Sequence, residues 1–269
     1  MIPYLLVTFV VSWSLWLAAG LTSAAGPRGP LFLLGVFAPG IVALVFTARA
    51  RGRSAVTSLL QRLVDWRVHA RWYLFAIGYM AAIKLTVALL HRAAFGRWPQ
   101  FGEAPWYLML ASTVVSTLLL GQAGEEIGWR GYALPRLAER FGLGGASILL
   151  GLVWALWHLP LFFAPNGDTY HQSFPLYTLQ VTALSVALAW LYSHTRGSLL
   201  PVMLLHAAVN NTKDIVPSFD PAATDTWALS RSPVAWLTVT LLWICAGYFL
   251  VRMRAGAPVE ETAARAVAT

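Results

Sequence analysis

Charged side chains are scarce in this chain: Asp, Glu, Lys and Arg together make up only 11% of its 269 residues. Soluble globular proteins carry about 25%. A mean hydropathy of +0.63 leaves too little polar surface to cover a globule in water. Cys245 is the only cysteine, which excludes an intrachain disulfide and a thiolate metal cluster. The composition therefore predicts an integral membrane protein.

Long apolar runs recur along the chain, and eight of them are candidates for membrane-spanning helices, for which roughly 20 residues are typical. They predict an all-α, polytopic transmembrane helical bundle without an internal repeat. The predicted spans cover residues 2–21, 30–48, 72–90, 105–122, 146–162, 175–192, 198–211 and 233–251. We expect one transmembrane domain over residues 1–253 and a disordered cytoplasmic tail over residues 254–269.

The net charge of +8 raises the question of a nucleic-acid partner. Six arginines, however, lie between Arg49 and Arg71, where apolar residues recur at helical spacing. This pattern predicts an amphipathic helix in the membrane interface, with a solvated basic loop as the alternative. Eight spans would place 12 of the 19 Lys and Arg residues on the side of this segment, and five (Arg28, Arg92, Arg97, Lys213 and Arg231) on the other. The positive-inside rule then predicts a multi-pass cell-membrane protein with both termini in the cytoplasm and no nucleic-acid partner.

Ionisable groups at membrane depth are costly, so each one requires a partner or a function. Glu126 and Arg130 are four residues apart, and we expect them to form a buried structural ion pair on one helix face. Glu125 points about 100° away from Glu126 and is left to face another partner. Lys84, near the end of its span, is expected to reach water through its long side chain.

Histidines provide the other polar positions within the apolar helices. His158 lies near the end of the fifth span, and His206 and Asn210 lie four residues apart on one face of the seventh. The remaining histidines are interpreted as solvated side chains: His69, His91, His171 and His194.

Two kinds of chemistry fit these groups. A carboxylate near an imidazole can take a proton from water, while a second imidazole and an amide can donate hydrogen bonds to the oxyanion that forms during peptide hydrolysis. Alternatively, Glu125, His158 and His206 could bind a divalent metal such as Zn²⁺. The residues alone leave both mechanisms open.

The three motifs together resemble a known family. Glu125-Glu126-x-x-x-Arg130, followed by the aromatic-x-x-x-His segment from Trp154 to His158 and then by His206-x-x-x-Asn210, is similar to the CPBP intramembrane proteases. That family comprises CAAX proteases and bacteriocin-processing (Abi) proteins, including the type II CAAX prenyl endopeptidases. The specific similarity covers about residues 118–212.

The resemblance implies an eight-helix fold whose site opens toward the cytoplasm. It also implies that Glu125 is the general base, that His158 helps to activate water, and that His206 and Asn210 stabilise the oxyanion. Both metal-dependent and metal-free mechanisms have been proposed for such proteins. The second motif often begins with Phe, so Trp154 is a departure, from which we expect a change in packing and not in chemistry.

We therefore expect an intramembrane endopeptidase that cuts near the cytoplasmic membrane face. Its surroundings are membrane lipid, and its substrate is a peptide or protein, prenylated or not. The alternatives are a non-catalytic membrane scaffold or bacteriocin-immunity factor, and a proton-coupled transporter. The four polar residues have no purpose in a scaffold, and the absence of an inverted repeat disfavours a transporter.

Overall fold

The computed structural model is helical throughout and describes residues 1–21, 29–119, 122–164, 169–170, 172–218 and 225–255. Within these ranges there is no β-strand. Arg28, His171 and residues 256–269 of the predicted tail lie outside the described residues, whereas the first two tail residues, Arg254 and Ala255, belong to a helix.

Nine α-helices follow one another through the described ranges. They are α1 (Ile2–Gly20), α2 (Pro30–Gln61), α3 (Ala70–Phe95), α4 (Trp106–Leu119), α5 (Gln122–Glu126), α6 (Leu134–Trp157), α7 (Phe174–His194), α8 (Leu200–Thr212) and α9 (Pro233–Ala255). A π-helical turn, Ile127–Ala133, joins α5 to α6, and short 3₁₀ turns follow α6 and α8 at Leu159–Phe162 and Lys213–Ile215.

Within the described residues, six helical stretches are long and apolar enough to cross a membrane: Ile2–Gly20, Pro30–Gln61, Ala70–Phe95, Gln122–Trp157, Phe174–His194 and Pro233–Arg254. The predicted fourth and seventh spans correspond to α4 and α8, which have only 14 and 13 residues. The predicted all-α, polytopic helical bundle is confirmed, and two of its predicted spans are short helices.

Two glycines break the long helices. Gly52 has φ 78° and ψ −174°, so residues 53–61 form a separate stretch of α2 within the predicted amphipathic segment. Pro135 does not break α6, because it occupies the first turn of that helix, where a missing N–H is tolerated. The non-helical residue of α6 is Gly142, whose φ of 66° favours glycine.

One end of the bundle, named here the arginine-rich end, is formed by Arg51, Arg62, Arg67, Arg136 and Arg196. Arg62 joins two elements there, because its carbonyl accepts a hydrogen bond from the Leu199 backbone (2.9 Å) and its guanidinium donates to the Tyr192 hydroxyl (3.0 Å). The Arg196 guanidinium donates to the Arg67 carbonyl at 3.3 Å. Arg51, Arg62 and Arg136 line a pocket of about 120 Å³. Three segments predicted on one membrane side therefore lie together.

Two expectations about single side chains are wrong. Lys84 is 1% exposed and does not reach water. Its ammonium donates instead to the Val216 carbonyl (2.9 Å) and to the hydroxyls of Ser218 (2.7 Å) and Thr238 (3.3 Å), which ties α3 to α9 and to the segment after α8. His91, expected to be solvated, is buried, with its Nδ1 3.0 Å from the Arg97 carbonyl oxygen.

Candidate active site

Four of the residues singled out in the sequence line one cavity of about 230 Å³: Glu125, His158, His206 and Asn210. They come from α5, from the residue that ends α6, and from α8. Much of the remaining wall is aromatic, and it includes Trp16 of α1, Phe32 of α2, Trp157 and Tyr177. The cavity thus combines an aromatic and aliphatic wall with many polar groups that can orient a bound ligand.

Glu125 is buried and has a specific partner. Its Oε2 atom accepts a hydrogen bond of 2.8 Å from the indole nitrogen of Trp154. The sequence interpretation assigned Trp154 a packing role only, so this contact was missed. One signal could have revealed it: a buried indole N–H usually has a hydrogen-bond acceptor, and the Phe found in related motifs has no such donor.

Glu126 forms the expected pair and one more bond. Its Oε1 atom accepts from Arg130 Nη1 at 2.9 Å, and both side chains are fully buried. The same oxygen lies 2.8 Å from His206 Nδ1, a contact that the sequence interpretation did not predict. The Arg130 guanidinium also lies over the Trp154 ring, 4.4 Å from its centroid. Trp154 therefore contacts both Glu125 and Arg130, the partner of Glu126.

The hydrogen-bond partners determine the proton positions on the two histidines. His158 Nδ1 lies 2.8 Å from the Trp154 carbonyl oxygen, which can only accept, so Nδ1 carries the proton. In the neutral ring, Nε2 of His158 is then an acceptor. His206 Nδ1 likewise donates to the Glu126 carboxylate. Nε2 of His206 can therefore donate a hydrogen bond only when the ring is an imidazolium.

Asn210 and Asn211 are adjacent but face different surroundings. Asn211 donates to the Ala207 carbonyl at 2.8 Å and to the Ser116 hydroxyl at 3.3 Å, which ties α8 to α4. Asn210 lies on the cavity wall and is exposed. His206 and Asn210 share one face of α8, as their spacing predicted, and that face lines the cavity.

Close backbone approaches position the Glu-Glu motif against α2. A Cβ atom on Gly128 would lie 2.6 Å from the backbone carbon of Pro39. A Cβ atom on Gly40 would lie 2.5 Å from the carbonyl oxygen of Gly124. Only glycine fits at these two positions, and the two contacts with α2, at Gly124 and Gly128, lie on either side of Glu125 and Glu126. The π-helical turn begins immediately after them, and such wide turns are frequent at functional sites.

Glu125, His158 and His206 were considered from the sequence as possible metal ligands. In the described part of the chain, no group of three or more His, Cys, Asp and Glu side chains is placed to hold a metal ion. Oε2 of Glu125 and Nδ1 of His206 are engaged with Trp154 and Glu126. These contacts use one polar atom of each residue, so the zinc site stays a prediction.

The cavity lies in the half of the bundle opposite the arginine-rich end. Its wall includes Trp16 near the end of α1 and Phe32 at the start of α2, whereas Arg51 lies much further along α2. Helix α8 begins beside Arg62, and only its later residues reach the cavity. The sequence led us to expect both the arginine-rich segment and the opening of the site on the cytoplasmic side. Because the two lie in opposite halves of the bundle, only one of these expectations can be correct.

Comparison with known proteins connects this geometry to a family. Residues 102–212 match the model of the Rce1-like type II CAAX prenyl endopeptidases, and this range contains Glu125, His158, His206 and Asn210. The chain is also similar to CAAX prenyl protease 2 of Methanococcus maripaludis, with 27% identity over 226 residues, which cover 79% of this chain and 83% of that protein. The chain is therefore similar to the Rce1-like type II CAAX prenyl endopeptidases across its site-bearing segment, and to a CAAX prenyl protease over most of its length.

Proposed function

We propose that this protein is an intramembrane endopeptidase that hydrolyses a peptide bond inside the cavity, without a metal. The observation that carries the proposal is the convergence of Glu125, His158, His206 and Asn210 on one cavity from three separate segments of the chain. Two proton acceptors and two potential oxyanion donors are the groups that hydrolysis of a peptide requires.

The first step is the activation of water. The Glu125 carboxylate takes a proton from a water molecule as that water attacks the scissile carbonyl. Nε2 of His158 is an acceptor in the neutral ring, so it orients the same water through a second hydrogen bond. General-base catalysis of this kind contributes about 10²–10⁴-fold to a rate. The proton held by Glu125 then passes to the leaving amine.

The second requirement is stabilisation of the oxyanion. The Asn210 amide donates one hydrogen bond to the developing negative charge, and Nε2 of His206 donates the other. Because His206 Nδ1 is engaged with Glu126, this role requires the imidazolium form of His206. The charges of Glu125, Glu126, Arg130 and cationic His206 then cancel, so the buried cluster is neutral overall before water is activated.

Two further residues act through these groups. Trp154 holds one oxygen of Glu125 at 2.8 Å, and this fixes the direction of the other oxygen. Glu126 fixes the orientation of the His206 ring through its contact with Nδ1. Both are positioning residues, since their contacts are with catalytic groups and not with substrate.

The substrate is a peptide or a protein segment at the membrane. The similar archaeal protein is named a CAAX prenyl protease, which makes a prenylated peptide the first substrate to test. The aromatic and aliphatic wall of the cavity suits a peptide with a large apolar group. A non-catalytic scaffold would bind such a peptide and leave it intact.

The test is hydrolysis of an internally quenched farnesylated peptide by the purified full chain in detergent, with a chelator present. We expect two products with a new amine and a new carboxylate, identified by mass spectrometry. The Glu125→Ala and His206→Ala variants are expected to be inactive although they remain folded by size-exclusion chromatography. The His194→Ala variant, which changes an exposed histidine outside the cavity, is the matched control. Unchanged cleavage by Glu125→Ala would contradict the proposal, and loss of cleavage on chelation would contradict its metal-free form.

A further inference from the structure

We infer that the cavity opens on the extracytoplasmic face of the membrane, so that the substrates are peptide segments presented outside the cytoplasm. The orientation of the chain follows from its charges and its fold. The statement about substrates rests in addition on the proposed function. The inference replaces the cytoplasmic cleavage site implied by family resemblance.

The first observation is the place of the polar rim of the cavity. Gln172, Asn210 and Lys213 line the cavity together with Trp16 and Phe32. Lys213 begins the turn that leads into the segment held by Lys84. These residues lie in or close to the connections α1–α2, α6–α7 and α8–α9, and all three connections lie at one end of the bundle.

The second observation is the distance between the two ends. Helix α7 starts beside this rim and ends at His194, two residues before Arg196 of the arginine-rich end. Its 21 residues span roughly 30 Å at about 1.5 Å per residue, which is the thickness of the hydrocarbon core of a bilayer. The rim and the arginine-rich end therefore lie at opposite membrane surfaces.

Exposed tryptophans mark both surfaces. Trp66 lies at the arginine-rich end and is 67% exposed. Trp98, Trp106 and Trp227 lie in or beside the connections at the other end and are 53%, 75% and 57% exposed. Tryptophan is enriched at membrane interfaces because its ring is apolar and its N–H is polar. Trp66 at one end and the three tryptophans at the other indicate that each end of the bundle lies at the level of the lipid headgroups.

The distribution of basic residues then selects the orientation. Lys and Arg close to the ends of spans are retained in the cytoplasm, and acidic residues contribute little to this preference. Arg51, Arg62, Arg67, Arg136 and Arg196 all belong to the arginine-rich end. Among the described residues, only Arg92, Arg97, Lys213 and Arg231 belong to the cavity side, whereas 11 Lys and Arg residues belong to the other side. The arginine-rich end therefore faces the cytoplasm and the cavity faces away from it.

This orientation changes the substrate class. A peptide terminus located in the cytoplasm would have to cross the bilayer to reach Glu125. A segment of an exported peptide, or the outer flank of a membrane-anchored protein, would enter directly past Gln172 and Asn210. The nearby apolar wall then accommodates the part of the substrate that remains in the lipid.

The test measures the accessibility of single cysteines in intact cells that express the full chain. Cys245 is replaced by Ser, which removes the only native thiol. Gln100→Cys then reports on the cavity end, and Ser54→Cys reports on the arginine-rich end. Both positions are exposed and uncharged, so the balance of basic residues is preserved. The reagent is a membrane-impermeant maleimide, and labelling after cell lysis shows that both thiols react.

We expect labelling of the Gln100→Cys variant in intact cells and of the Ser54→Cys variant only after lysis. The reverse pattern would overturn the inference, and so would equal labelling of both variants or of neither in intact cells. A second arm adds an impermeant quenched peptide to sealed spheroplasts, where the wild type is expected to cleave it and Glu125→Ala is not. If the detergent assay shows cleavage while sealed spheroplasts show none, the orientation fails and the protease proposal stands. If labelling is as expected while the detergent assay is silent, the protease proposal fails and the orientation stands.

Discussion

His206 Nδ1 lies 2.8 Å from Glu126 Oε1, the same oxygen that binds Arg130. The second glutamate of the motif is therefore more than the anchor of an ion pair. It also orients the histidine to which we assign oxyanion stabilisation. The structural pair and the catalytic group consequently share one buried carboxylate oxygen. Removing Glu126 alone, and then Glu126 together with Arg130, separates the effect on stability from the effect on rate.

Glu126→Leu is expected to lower both stability and activity. The substitution leaves the Arg130 charge buried without a partner, a change that typically costs about 3–5 kcal/mol. The thermal midpoint in detergent measures this loss. The double variant Glu126→Leu with Arg130→Met removes both charges and is expected to recover most of the midpoint. Its activity is expected to stay low, because His206 still lacks its acceptor. Recovery of activity together with stability would show that Glu126 is purely structural.

Trp154→Phe is expected to lower the rate while the protein stays folded. Phe keeps the aromatic packing but removes the donor to Glu125, and a hydrogen bond to a charged group contributes about 1.5–3 kcal/mol. We expect kcat to fall by roughly 10- to 100-fold, the range that this energy corresponds to. We expect the loss to appear in kcat and not in KM, because the lost hydrogen bond positions the carboxylate that activates water. A raised KM with an unchanged kcat would indicate a packing role only.

Gly128→Ala is expected to disturb the site through the backbone. The new methyl group would lie 2.6 Å from Pro39, so α2 and the π-helical turn must separate. We expect lower thermal stability and lower activity together. Gly78→Ala in α3 is the matched control, because a Cβ atom there meets nothing within 4 Å. That control should be neutral or more stable by about 1 kcal/mol, since alanine is the better helix former. Equal effects of the two substitutions would contradict the close approach.

Lys84→Met is expected to destabilise the segment that follows α8. The buried ammonium donates to Val216, Ser218 and Thr238, and its loss leaves these acceptors without a charged donor. Each such bond contributes about 1.5–3 kcal/mol. Thermal unfolding of Lys84→Met beside Arg92→Met, which removes an exposed cation from the same helix, measures the difference. A midpoint as high as that of Arg92→Met would mean that Lys84 does not hold this segment.

The helices were predictable because hydropathy is a local property of the sequence. The eight apolar runs all correspond to helices, and the spacing of Glu126 and Arg130 alone was sufficient to predict their ion pair. The position of a helix break is harder to predict: Gly142 breaks α6, whereas Pro135 does not, because a first-turn proline does not distort a helix.

Contacts between distant segments were not predictable in the same way. Trp154 and Glu125 are separated by 29 positions, and His206 and Glu126 by 80, so no periodicity relates them. Lys84 was misjudged for the same reason, since its acceptors lie more than 130 residues away. The opposite placement of the cavity and the arginine-rich end likewise required the packing of all the helices.

The central claim is that the Glu125 carboxylate activates water in this cavity, and the most direct measurement is the kcat/KM of Glu125→Gln. Gln keeps the size and the hydrogen-bonding shape of the side chain but cannot take a proton. The comparison is with Glu103→Gln, which changes an exposed carboxylate outside the cavity, in the same detergent and with the same peptide. The account predicts a loss of at least about 100-fold for Glu125→Gln and none for Glu103→Gln. Equal activity of the two folded variants would contradict it.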